Sequence, residues 1–151
     1  LLDERRFVVG VPALPGLATT SSARIESLTE LPLILPSGPH GLRALVDSAF
    51  ARARAAPRVV AEIDGLTLLM DAVSAGLGAT IQPGAATLRL RHGDVALVRL
   101  SNPRAVRPNL LVSLNDDELS PAALAARVVL ADVARNLVNE GRWIGASVHE
   151  P

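Results

Sequence analysis

The sequence predicts an α/β fold, with the alternation of a parallel sheet over its first part. Three observations carry this. Nearly half of the 151 residues are apolar at zero formal net charge, which a chain needs in order to bury a core and which disorder does not have. Short apolar runs alternate with stretches whose apolar residues fall at helical spacing. Pro and Gly punctuate most of the junctions between them.

The elements follow in order. Arg6-Phe7-Val8-Val9-Gly10-Val11 reads as a buried strand, broken by Pro12, Pro15 and Gly16. Residues 18–24 are small and polar, a loop; 25–31 hold one helical turn, with Ser22 or Ser27 as caps. Leu33-Ile34-Leu35 is a second strand, ended by Pro36. A helix is predicted from about Gly41 to Ala55, with Leu42, Leu45, Val46, Phe50 and Ala53 on one face, stopped by Pro57. Arg58 to Ile63 is a third strand and Asp64-Gly65 a turn. A second helix runs from Leu66 to Ala75 on a stripe of Leu66, Leu69, Met70, Val73 and Leu77, with Gly76 in the left-handed position after it. Ala79-Thr80-Ile81 is a strand closed by Gln82-Pro83-Gly84. The run of strand, helix, strand, helix, strand implies right-handed parallel crossovers.

The remainder reads differently. Val95–Leu100 and Asn109–Leu114 are predicted strands, joined by a turn-rich stretch from Ser101 to Pro108. Asn115 to Leu119 is a polar turn, and Ser120-Pro121 is a helix start, with a hydroxyl at the cap and Pro in the first turn. The helix extends to Asn139 with Leu124, Val128, Ala131, Ala134, Leu137 and Val138 apolar, and Gly141 ends it. The tail from Arg142 to Pro151 is read as loose, with Trp143 as an anchor.

Composition narrows function. Without a positive excess, this piece has no electrostatic footprint for nucleic acid. Without cysteine there is no disulfide framework and no thiolate metal site, which fits a reducing compartment. No apolar run is long enough to span a bilayer, so no membrane partner is expected. The start at Leu1, without Met or a signal sequence, leads to the expectation of a piece cut from something longer. No catalytic or metal constellation stands out. Gly76-Leu77-Gly78 follows a helix instead of preceding one, so it is no dinucleotide fingerprint. His40, His92 and His149 are far apart, and His92 reads as a surface turn. Asp116-Asp117-Glu118 reads as a solvated turn at a helix N-terminus. No cofactor and no enzymatic activity are expected.

The ordered set Leu31-Pro32-Leu33-Ile34-Leu35-Pro36-Ser37, Pro39-His40-Gly41-Leu42-Arg43, Val60-Ala61-Glu62-Ile63 and the run from Asp71 to Pro83 resembles the effector-binding domain of LysR-type transcriptional regulators. Leu119-Ser120-Pro121-Ala122-Ala123 ahead of the last helix resembles that family's closing segment. The stretch from Leu31 to Arg43 is most similar to the nitrogen-assimilation-control branch. The resemblance implies a two-lobed, type II periplasmic-binding-protein-like sensor with only its distal lobe complete. Residues 1–11 would be the crossover strand, 12–113 the distal lobe, and 114–151 the return segment and C-terminal helix of the proximal lobe.

It implies further a cytoplasmic protein that forms a homo-oligomer, a dimer or tetramer at full length. DNA would be bound only through an N-terminal helix-turn-helix absent from this piece. A small-molecule effector, a small carboxylate or other anion, would bind between the lobes. Three segments would face it. Ser37, Gly38 and His40 precede the first helix, where a plain strand-to-helix turn with a Ser or His cap is the competing reading. Gly38 stands where family members often carry Arg, so a basic contact is expected to be missing. Gly65, Leu66 and Thr67 open the second helix, where capping by Asp64 alone competes. Ile81 and Gln82 follow, against a plain buried strand. A periplasmic solute-binding protein of a transporter is the alternative function, and an α/β enzyme resembling prephenate dehydratases the third.

Overall fold

The computed structural model describes residues 1–91, 93–103 and 105–149. The turn expected at His92 lies outside the described residues.

The strands are β1 (Leu2–Gly10), β2 (Ser22–Ala23), β3 (Pro32–Leu35), β4 (Arg58–Glu62), β5 (Thr80–Pro83), β6 (Ala96–Leu100), β7 (Val106–Asn109) and β8 (Ala146–Val148). The helices are α1 (Gly41–Arg52), α2 (Leu66–Ser74) and α3 (Pro121–Asn139), with 3-10 turns at Ile25–Leu28 and Gly84–Thr87. The expected β3-α1-β4-α2-β5 alternation is present. β3 and β4 pair in parallel, and a parallel bridge from Leu33 to Ala79 continues the sheet toward β5. β5, β1, β6 and β2 extend it, with β1 antiparallel to both of its neighbours.

Period-2 alternation sorts the core into two layers. Val8, Leu33, Leu35, Ile81, Val98 and Leu100 meet Leu42, Val46 and Phe50 of α1. Val9 and Ile34 meet Leu69, Met70 and Val73 of α2 on the other face. Each such buried side chain contributes roughly 1.5–3 kcal/mol. All three helices close with the same pair of backbone bonds, 6→1 and 5→2, around a left-handed residue. Gly76 and Gly141 take that position after α2 and α3; Arg54 takes it after α1, at φ 53°. This stops α1 at Arg52, short of the predicted Ala55. Leu45, Leu66 and Leu77, expected on buried stripes, are 43%, 48% and 66% exposed.

β1 begins at Leu2 instead of Arg6, because Asp3-Glu4-Arg5-Arg6 alternates across the strand as an apolar run would. The strand expected over Asn109–Leu114 lies at Val106–Asn109 instead. Pro108 was read as a turn, yet β7 is an edge strand on β1, where a missing N–H is tolerated. Leu110–Leu114 has no strand partner among the described residues and is exposed. The tail expected to be loose forms β8, antiparallel to Leu2–Glu4. The Ser caps expected at the first turn are also absent: Arg24 holds that position without a side-chain bond. α3 matches its expected span, with Ser120 Oγ accepting from the Ala123 amide at 3.2 Å. Only Ala134 of α3 is buried, while Val128, Val129, Leu130 and Val133 are about half exposed. No helix among the described residues is long and apolar enough to cross a membrane.

The tail seats closely on β1. Gly145 has φ +76°, and a Cβ there would lie 2.4 Å from the Phe7 ring. Gly145→Ala is therefore expected to lower stability by at least about 1–2 kcal/mol through backbone strain, with the ring clash in addition. Gly38→Ala, which meets nothing within 4 Å, should change it by less than about 0.5 kcal/mol. Urea denaturation of the two variants side by side is the check.

Candidate functional site

Alternation along β1 places Leu2, Glu4, Arg6 and Val8 on one buried face. Two of these four are charged, and each has a different solution to burial. Glu4, 3% exposed, accepts three hydrogen bonds: from Arg107 Nη2 at 2.9 Å, Asn109 Nδ2 at 3.1 Å and Trp143 Nε1 at 2.9 Å. A carboxylate out of water needs such partners. Two come from β7 and one from the segment after α3, so Glu4 ties both to β1.

Arg6, 6% exposed, has no comparable set. Its Nη2 is fully buried without a hydrogen-bond partner among the described residues. Burial lowers its pKa, Arg107 lowers it further, and Glu4 opposes the change. A guanidinium stays charged in proteins, so a cation is held here short of an acceptor.

Arg6, Glu4 and Arg107 line a cavity of about 140 Å³ with His40, Leu42 and Gln82. Arg107 is paired with Glu4. The surplus charge of the site is therefore that of Arg6. His40 caps α1: its Nδ1 accepts from the Leu42 amide at 3.2 Å. In the neutral ring this leaves Nε2–H as the free donor. Gln82 is buried at the end of β5 and adds an amide. The cavity thus offers donors from three elements, the arrangement that holds a carboxylate or another oxyanion.

The remaining expected residues fall elsewhere. Ser37 is committed to Asp64, with its amide donating at 2.8 Å and its hydroxyl lying 2.8 and 2.9 Å from the two carboxylate oxygens. Asp64 accordingly does not cap α2, whose N-cap Gly65 has no side-chain bond. Arg43 stiffens the same loop by donating to the Pro36 carbonyl and pairing with Asp47 and Glu62. Gly38, Gly65, Leu66 and Thr67 are exposed and outside the cavity. Ile81 is 1% exposed, packed in the α1 layer.

Reading the sequence alone missed Glu4, Arg6 and Arg107. The available signal was the period-2 continuation of charged residues into an apolar strand, which puts Glu4 and Arg6 in register with Val8.

The model of the LysR substrate binding domain matches residues 1–135. The nitrogen assimilation regulatory protein nac of Klebsiella aerogenes is 31% identical over 146 residues, covering 94% of this chain and 46% of that protein. The HTH-type transcriptional regulator BbuR of Bordetella bronchiseptica is 29% identical over 147 residues, covering 96% and 45%. The chain thus spans about half the length of the curated relatives it matches. Among solved structures, the effector-binding domain of QuiR in complex with shikimate superposes with a TM-score of 0.71 at 26% identity, covering 90% of this chain and 64% of that one. The regulatory domain of CcmR from Synechocystis PCC6803 gives 0.71 at 20% identity, covering 89% and 65%, a likeness of fold.

Two outcomes test the geometry. Glu4→Gln keeps the shape but removes one acceptor oxygen and the charge, at an expected cost of about 1–3 kcal/mol. Denaturation followed by the fluorescence of Trp143, the only tryptophan, should show this, with emission shifted to the red. The second concerns pH. The Ser37 amide, then its hydroxyl, hold the Asp64 carboxyl below its usual range. A lowered folded-state pKa means the tie is intact above the ordinary aspartate range and is lost as pH falls through the folded value. Hydrogen exchange at the Ser37 amide, corrected for intrinsic rate, should lose protection in that acid window, and Asp64→Ala, which removes the acceptor, should lose it already at neutral pH.

Proposed function

The chain belongs to the LysR substrate-binding domain family, and we propose that it forms the effector-sensing part of a bacterial transcriptional regulator, with a small carboxylate or similar anion as the effector. Its fold is that family's type II periplasmic-binding-protein-like one. The relatives are transcriptional regulators, which favours this reading over a transporter's solute-binding protein.

The observation that carries the ligand class is Arg6, a buried guanidinium with a nitrogen that has no partner among the described residues, beside a cavity that already holds other donors. Arg6, His40 and Gln82 are the contact residues in this reading. Ser37 positions the loop through Asp64 without binding, Gly38 leaves the mouth open, and Gly65, Leu66 and Thr67 offer the free amides of α2 to a larger ligand. Ile81 supports Gln82 from the core. The cavity lies where β1 passes from the β5–β6 sheet to its pairing with β7 and β8. We assign residues 1–11 to the crossover strand, 12–113 to the distal lobe and 114–151 to the return segment and C-terminal helix of the proximal lobe. An anion seated at Arg6 would favour one arrangement of the lobes, and the regulator's affinity for DNA, bound through another part of the protein, would follow. No chemical step is required of this part. A cytoplasmic homo-oligomer is the setting that agrees with the relatives.

Support for the ligand class comes from QuiR, whose domain was solved with shikimate. Shikimate and a panel of small carboxylates, titrated calorimetrically into the full-length regulator, form the experiment. A charge-assisted hydrogen bond contributes about 1.5–3 kcal/mol, so Arg6→Met should weaken a bound carboxylate tenfold or more. Unchanged affinity in Arg6→Met, His40→Ala and Gln82→Leu alike would remove the effector from this cavity.

A further inference from the structure

A second cavity, of about 250 Å³, lies on the other side of Arg6, between α1 and the segment that joins β6 to β7. Arg6 is the one residue among the described lining residues that it shares with the smaller cavity. Its character is different. Ile25, Leu45, Ala49, Ala53 and Leu100 make most of the wall apolar, and Leu45 is the residue of the α1 stripe that the core leaves 43% exposed. Besides Arg6, the polar lining residues are Glu26, Arg52 and Asn102. Arg52 is cationic, and Glu26 is already held by Arg24 at 3.2 Å. That contact keeps the Glu26 carboxyl ionised, with its pKa lowered to about 2. The charge left over is positive.

Scale supports a ligand with an apolar body. An apolar cavity of about 150 Å³ accepts benzene, so one of 250 Å³ has space for a six-membered ring and a carboxylate. Arg6 is nine-tenths buried and has a nitrogen without a partner among the described residues. Ring and charge thus have complementary places within one enclosure.

We propose that this cavity is a second ligand site, distinct from the cleft lined by His40 and Gln82, that takes a ring-bearing or short branched monocarboxylate with its carboxylate toward Arg6 and its apolar body against Leu45 and Ala49. Its location is independent of the reading given above, although both use the same cation. Because one guanidinium borders both cavities, occupancy of one changes the donors open to the other.

The probe is cyclohexanecarboxylate, titrated calorimetrically into the full-length regulator, with the neutral cyclohexanecarboxamide beside it. The acid is expected to bind at least tenfold more tightly than the amide. Ala49→Leu fills the cavity on a helix where Leu is nearly as favourable as Ala. It should weaken the acid at least tenfold while leaving the melting temperature of the ligand-free protein near that of the wild type. His40→Ala and Gln82→Leu alter the cleft but not the lining of this cavity, and should leave the acid's affinity within twofold. The proposal fails if the acid does not bind, if acid and amide bind alike, or if folded Ala49→Leu binds as the wild type does. It fails also if the cleft variants alone abolish binding, which would place the probe beside His40 and Gln82. Loss of shikimate binding in the cleft variants is a separate result, and it bears on the cleft alone.

Discussion

The Glu4 carboxylate is the point at which β7 and the segment after α3 are tied to β1. Its three donors lie 103, 105 and 139 residues away along the chain. Backbone bonds at the same place reinforce it: the Arg5 amide donates to Gly145 and the Arg6 amide to Ala105. Burying a carboxylate is unfavourable unless its lone pairs are taken up. Here each donor comes from a segment that must be correctly placed to reach it, so β7 and the residues after α3 are held to β1 by one shared requirement. Without that acceptor, the Trp143 indole N–H would lose its hydrogen-bond partner, and β8 would be left with a short ladder and the close seat at Gly145.

The parts legible in the sequence are those fixed by local periodicity. β3, α1, β4, α2 and β5 could be read because each alternates or repeats on its own; Gly76 marks the end of α2, and Ser120-Pro121 and Gly141 mark the two ends of α3. The parts that were not legible depend on partners far away. Asp3-Glu4-Arg5-Arg6 has the polarity of a surface segment, and only the arrival of Arg107, Asn109 and Trp143 makes Glu4 acceptable in a core. Pro108 signals a turn until β1 is known to leave it at an edge. Ser37 and Asp64 were separately plausible as a ligand contact and a helix cap. Their satisfying each other depends on β3 and β4 lying side by side, which no local pattern reports. Of the residues that line the candidate cavity, His40 and Gln82 are among those the sequence singled out, while Glu4, Arg6 and Arg107 are not.

That centre has an uneven division of partners. Two arginines and one carboxylate meet near the crossing, and the carboxylate is already filled. Arg6 therefore keeps its charge in a place where Coulomb interactions are weakly screened. A protein that needed only stability would be better served there by an apolar residue, as Val8 is two positions on. The persistence of a cation at this point is intelligible if the missing acceptor comes from outside the chain.

β1 also has a mechanical consequence. It is one uninterrupted strand of nine residues, yet its neighbours are exchanged between Arg5 and Phe7: β7 and β8 on one side of that junction, β5 and β6 on the other. A strand resists stretching far more than it resists twisting, since its right-handed coil varies readily from one context to the next. It therefore behaves as a torsion bar clamped at both ends, with the clamps changing between Arg5, in register with Val106, and Arg6, in register with Pro83. Arg6 is the first residue past that change. A small rotation there would swing the far ends of both sheets through a larger arc, and whatever stiffens Arg6 sets the angle at which they come to rest.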